Sequence, residues 1–138
     1  MSKRTIRRNV FETNSSSMHS LSIVGSDRLY NPINKDTVIY YGEFGWGYEE
    51  LTSPEDKLSY LITQYNDDES KLEMIKSAFK KHTGFEMIIA DMRGGYWEKG
   101  YIDHQSQGMI CEYITDEQSV INLVFNQSNV IIVDNDNH

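Results

Sequence analysis

The sequence predicts a single α+β domain over residues 1–138. It would have a mainly antiparallel sheet, an N-terminal β-hairpin and about three helices. Three observations predict it. Two strand-like stretches, Thr5–Phe11 and Met18–Val24, flank a short polar turn. Three later segments combine a helix start signal with apolar residues three and four apart. Short β-branched and aromatic runs separate these patterns, and no repeat or low-complexity linker divides the 138 residues.

In chain order, Thr-Asn-Ser-Ser-Ser joins the two strands of the hairpin. Gly25–Asp36 carries Gly, Asp, Asn-Pro and Asn, which mark a loop. Thr37–Tyr41 is β-branched and aromatic, and predicts a strand. Ser53 is a natural N-cap, with Pro54 in the first turn and Glu55 and Asp56 suited to the positive end of a helix. Leu58, Leu61, Ile62 and Tyr65 then form one apolar face. Asn66-Asp67-Asp68 breaks this helix or caps the next one. The second helix shows Leu72, Ile75, Ala78 and Phe79 inward, Lys80, Lys81 and His82 at its negative end, and Gly84 as its stop. Phe85–Ala90 predicts a buried strand. Thr115-Asp-Glu-Gln118 reads as a capping box before Val120, Leu123 and Val124. Val130–Val133 closes the chain as a strand, and Met109–Ile114 offers a further one. Met74 and Met87 read as core filler.

Hydrophobic residues make up 38% of the chain and its formal net charge is -8. Lys3, Arg4, Arg7 and Arg8 are all basic, so the remaining body is more acidic than the total suggests. An acidic body argues against duplex nucleic acid as a partner, because phosphates need Lys and Arg. It permits a small ligand held in a local pocket, or a basic protein surface. Cys111 is the only cysteine, so no internal disulfide exists, which fits a reducing cytoplasm. The charged start is not followed by an apolar core, so no secretory signal is expected. The longest aliphatic runs, Met87–Ala90 and Val130–Val133, are far too short to span a bilayer.

Three polar or aromatic constellations carry the candidate chemistry. The first runs from Glu12 to His19, with Asn14, Ser15, Ser16 and Ser17 between them and Arg8 upstream. Successive backbone N–H groups and serine hydroxyls suit phosphate or carboxylate oxygens. Glu12 and His19 form an acid–imidazole pair if the hairpin is short. The bland alternative is a turn whose Asn and Ser satisfy their own backbone. The second is Asp103, His104, Gln105 and Ser106; Asp103 and His104 point to opposite faces if the segment is a strand. The alternative there is a loop with local hydrogen bonds. No His-x3-His or paired-Cys spacing supports a metal, and no cofactor is expected. The third is a pair of glycine-rich aromatic loops, Tyr40–Tyr48 with Trp46 and Arg93–Tyr101 with Trp97. Exposed rings between glycines suit stacking on bases or sugars, and Arg93 suits a phosphate. Rim packing of the core or self-association into a homo-oligomer explains the same rings.

Segments Arg8–Leu21, Lys57–Thr63, Tyr101–Ser106 and Phe125–Asn129 resemble those of a family of small proteins from bacteriophages and their Gram-positive hosts, with FETNSSSxHSL and YIDHQS motifs. The resemblance spans most of the chain. Met18 departs from it, since a small polar residue is expected there. The resemblance implies a phage or prophage context and the cytoplasm of an infected or lysogenic host. It brings no catalytic residues with it.

The leading expectation is a protein that binds a phosphorylated small ligand, a nucleotide above all, and sequesters a host defence signal. One alternative is a small hydrolase or transferase with His19 or His104 as base, Glu12 or Asp103 as orienting acid, and a serine as nucleophile. Another is an acidic antagonist that docks on a host defence protein. Binding leads because no complete catalytic motif is visible.

Overall fold

A computed structural model of the chain describes residues 18–23, 29–44, 48–92, 98–102 and 113–134. The strands are β1 (Met18–Ser22), β2 (Thr37–Tyr40), β3 (Glu43–Phe44), β4 (Glu49–Leu51), β5 (Met87–Ala90), β6 (Tyr101–Ile102) and β7 (Val130–Asp134). The helices among the described residues are α1 (Pro54–Gln64), α2 (Glu69–Thr83) and α3 (Glu117–Val124). Helices and strands therefore mix in one α+β fold, as the patterns predict.

The largest sheet has the order β1-β7-β4 and is antiparallel throughout. β7 lies in its centre with Ile131, Ile132 and Val133 all buried. A strand covered on both faces needs an unbroken apolar run, and Val130–Val133 supplies one. β1 is the second strand of the expected hairpin. It pairs with β7 from Met18 opposite Asp134 to Ser22 opposite Val130. Thr5–Phe11, expected as the first strand of that hairpin, lies outside the described residues. Two small parallel ribbons, β2–β5 and β3–β6, complete the strand pairing. A parallel pair needs a long crossover, and the stretch containing α1 and α2 provides it between β2 and β5.

The helix termini follow from local chemistry. Ser53 accepts from the Asp56 N–H and Pro54 starts α1. Asp68 accepts from the Lys71 N–H, so the Asn-Asp-Asp run caps α2. Gly84 ends α2 in the left-handed region at φ 85°, where a side chain is disfavoured. The capping box of α3 sits one residue later than the sequence reading places it. Asp116 is the N-cap and Ser119 the reciprocating residue, instead of Thr115 and Gln118. Both registers place a polar cap before an acid, and Asp116 wins because Ser119 is short enough to bond the Thr115 and Asp116 N–H groups.

One contiguous core joins these parts. Leu58, Leu61 and Ile62 of α1, Ile75 and Phe79 of α2, Val120, Leu123 and Val124 of α3, and Ile131 and Val133 of β7 are buried in it. Met87 is buried there as well, and Met74 packs against it. Tyr113 is helical and Ile114 is not in a strand, so neither extends the sheet as Met109–Ile114 suggested; the rest of that segment lies outside the described residues.

Candidate functional site

Of the predicted site residues, only His19 falls among the described residues, and there as backbone in β1. Arg8, Glu12, Asn14, Ser15, Ser16, Ser17, Trp46, Arg93, Trp97, Asp103, His104, Gln105 and Ser106 all lie outside them. The described strands do fix where the chain enters and leaves those segments.

β1 and β4 both run antiparallel to β7, so their first residues share one end of the sheet. His19 stands opposite Val133, and Glu49 stands opposite Val133 from the other side. The next row is Ser20, Ile132 and Glu50. β3 and β6 run parallel and finish side by side at Phe44 and Ile102. Four peptide units separate Phe44 from Tyr48, so their Cα atoms are at most about 15 Å apart. The serine-rich run therefore meets the sheet at Met18, the residues around Trp46 join Phe44 to Tyr48, and the Asp103 segment follows Ile102. The Arg93–Trp97 segment is closed at its base, because the Met92 N–H donates to the Glu98 carbonyl at 2.7 Å.

Glu49 is a candidate that no local pattern marks. Partial burial, then the negative charge of Asp56, push its carboxyl above the usual carboxylate range. Glu49 lies in the same row as His19, with β7 between them. Beside it, the Tyr48 hydroxyl donates to Glu50 Oε2 at 2.5 Å. Only the antiparallel pairing through β7 brings the sequence-distant residues 19 and 49 into one row. Among the described residues no group of His, Cys, Asp and Glu could hold a metal ion.

Helix α1 braces the strands that lead into this end. Its Ser59 hydroxyl donates to the Tyr40 carbonyl at 2.7 Å. Its Thr63 hydroxyl donates to the Ser59 carbonyl and accepts from the Gly42 N–H at 3.0 Å. The Gly42 carbonyl then accepts from the Tyr101 N–H at 3.0 Å, which starts β6. Gly100 sits at φ 74°, and a Cβ there would lie 2.3 Å from the Gly42 carbonyl oxygen and 2.9 Å from Thr63 Cγ2. Only glycine fits between these two chains. Part of the aromatic, glycine-rich stretches is thus strand, namely β3 and the first residue of β6, where the sequence predicts loops.

The other end of α1 holds a second polar centre. Lys57 is completely buried, and its Nζ donates to the carbonyls of Leu123 at 2.7 Å, Asn126 at 3.0 Å and Asn129 at 2.7 Å. A helix ending inside a protein must find partners for its last carbonyls. α3 has no basic residue in its last turn. Lys57 supplies the missing donor, the Asn129 amide donates to Asn122 O at 2.8 Å, and the Tyr30 N–H donates to Phe125 O at 2.9 Å. Burial pulls the Lys57 ammonium down to a pKa of about 8. The segments Lys57–Thr63 and Phe125–Asn129, far apart in the sequence, meet at this lysine. One signal for it exists in the sequence: Lys57 precedes Leu61 by four, which places a cation inside an apolar stripe.

A shallow groove of about 630 Å³ runs along α2 past Lys76, Lys80, Lys81 and Glu117. Two of its lysines face carboxylates: Lys80 pairs with Glu86 and Lys81 lies 3.6 Å from Glu117, to which Ser77 also donates at 2.5 Å. It reads as a solvated charged face.

No family model, no curated protein and no solved structure matches the chain. No described helix is long and apolar enough to cross a membrane.

Proposed function

We propose that the protein binds a phosphorylated small molecule, of the nucleotide class, at the strand-end side of the β1-β7-β4 sheet. Asn14 to Ser17 would take the phosphate through backbone N–H groups and hydroxyls, with Arg8 and Arg93 as countercharges. Trp46 and Trp97 would stack on the base. His19, Glu12 and the Asp103–Ser106 segment would complete the polar wall. In a phage or prophage setting, such a protein would sequester a signalling nucleotide of the host.

One observation carries the reading. The chain positions that border the serine-rich run, the Trp46 loop and the Asp103 segment, namely Met18, Phe44 with Tyr48, and Ile102, are tied together by short strands and a short link. Binding residues concentrate on connecting segments that a rigid scaffold positions. The overall charge of -8 makes local donors necessary for an anion, and the serine-rich run is rich in them. Thermal unfolding of the purified protein with a panel of linear and cyclic nucleotides tests it. A ligand at one hundred times its Kd stabilises by about 2.7 kcal/mol, which gives a clear rise in Tm. A flat response across the panel rejects nucleotide binding.

A further inference from the structure

We infer that the carbonyl oxygens of Leu123, Asn126 and Asn129 form a binding site for a monovalent cation of the ammonium class, which Lys57 fills with its own side chain. Three carbonyl oxygens converge within 2.7–3.0 Å on one nitrogen. All three N–H bonds of an ammonium are thereby used, which is the full donor set of lysine. Rings of backbone carbonyls bind monovalent cations by replacing their hydration shell. The end of α3 adds the negative pole of its dipole. Among the described residues no carboxylate pairs with Lys57, so the carbonyl dipoles themselves hold the charge. Lys57 is wholly shielded from solvent. Asn129 precedes Val130, which pairs with Ser22, so the cage lies at the opposite end of β7 from Met18 and the proposed ligand side.

The alternative is that the lysine stem merely fills space and its nitrogen is incidental. Chemical rescue separates the two. Lys57→Ala removes the side chain beyond Cβ, and n-propylammonium restores the lost carbons and nitrogen. At pH 6.5, added n-propylammonium raises the Tm of Lys57→Ala with saturation. It leaves the wild type and Lys57→Met unchanged. Neither 1-propanol nor tetramethylammonium substitutes for it, since the first lacks the charge and the second lacks N–H donors. Equal rescue by either control, or no rescue by n-propylammonium, overturns the inference. Should Lys57→Ala fail to fold, the wild-type protein decides by NMR. A lysine NH3+ signal protected from exchange at pH 6.5, correlated with the carbonyl carbons of residues 123, 126 and 129, supports the cage. Absence of any such signal contradicts it.

Discussion

Helix α1 and the short strands β3, β4 and β6 are neighbours in space, yet they arise from opposite kinds of information. α1 is written locally. Ser53, Pro54 and the Leu58-Leu61-Ile62-Tyr65 spacing specify its start and its buried face within a dozen residues, and the cap bond and burial follow. The three strands are two or three residues long and have no period to display. Their order comes from α1 itself, through Ser59, Thr63 and Gly42, and from pairing with distant chain. The lesson is directional: the locally encoded helix is the template, and the segments leading to the candidate site are held by it.

Perturbing the template junction should therefore cost more than perturbing a helix end. Gly100→Ala forces a Cβ onto the Gly42 carbonyl at a positive φ, and about 4 kcal/mol of stability should be lost. Gly84→Ala is the paired control. Its φ is also positive, but nothing lies within 4 Å of the added Cβ, so only the backbone cost of about 1 kcal/mol should appear in urea unfolding. Equal losses at the two glycines would break the comparison, because they would show that crowding at the α1–β6 junction contributes nothing.

At the other end of α1, Lys57→Met should lose about 3 kcal/mol, since three buried carbonyls lose their donor and only part of this is recovered by removing a buried charge. The pH dependence sharpens this. The folded-state pKa of Lys57, about 8, lies below the ordinary lysine value, so between these values the unfolded chain binds more protons. Wild-type stability should rise relative to Lys57→Met as the pH goes from 7.5 to about 9.5, read from paired denaturant titrations. A constant difference would mean that burial does not depress this lysine.

Ser53→Ala, which removes the α1 N-cap bond, should cost about 1 kcal/mol, the smallest of these effects. A larger loss than at Gly100 would reverse the ranking and make the α1 terminus the critical element.

The same contrast explains what the sequence discloses. Asp68 and Gly84 act where local rules put them. Asp116 replaces Thr115 as the α3 cap because adjacent polar residues offer competing registers, and the reach of Ser119 decides between them. The parallel pairing of β2 with β5 and the row formed by His19, Val133 and Glu49 are legible only after the chain has folded back on itself. The spacing of Lys57 from Leu61 puts a cation in the apolar stripe of α1, but its partners are legible only once the end of α3 is placed against it. The polar runs mark candidate chemistry by composition alone. Glu49, in contrast, becomes a candidate only through sheet register and burial.

The most direct measurement of the central claim is a titration of the isotopically labelled protein with the nucleotide that most raises its Tm, followed by backbone amide NMR. The account predicts that shift changes concentrate at Met18–Ser20, Glu49–Glu50 and Tyr101–Ile102, the strand ends bordering the serine-rich run and the two segments beside it. Changes concentrated instead along Lys76–Lys81 of α2, or no changes at saturating nucleotide, would contradict it.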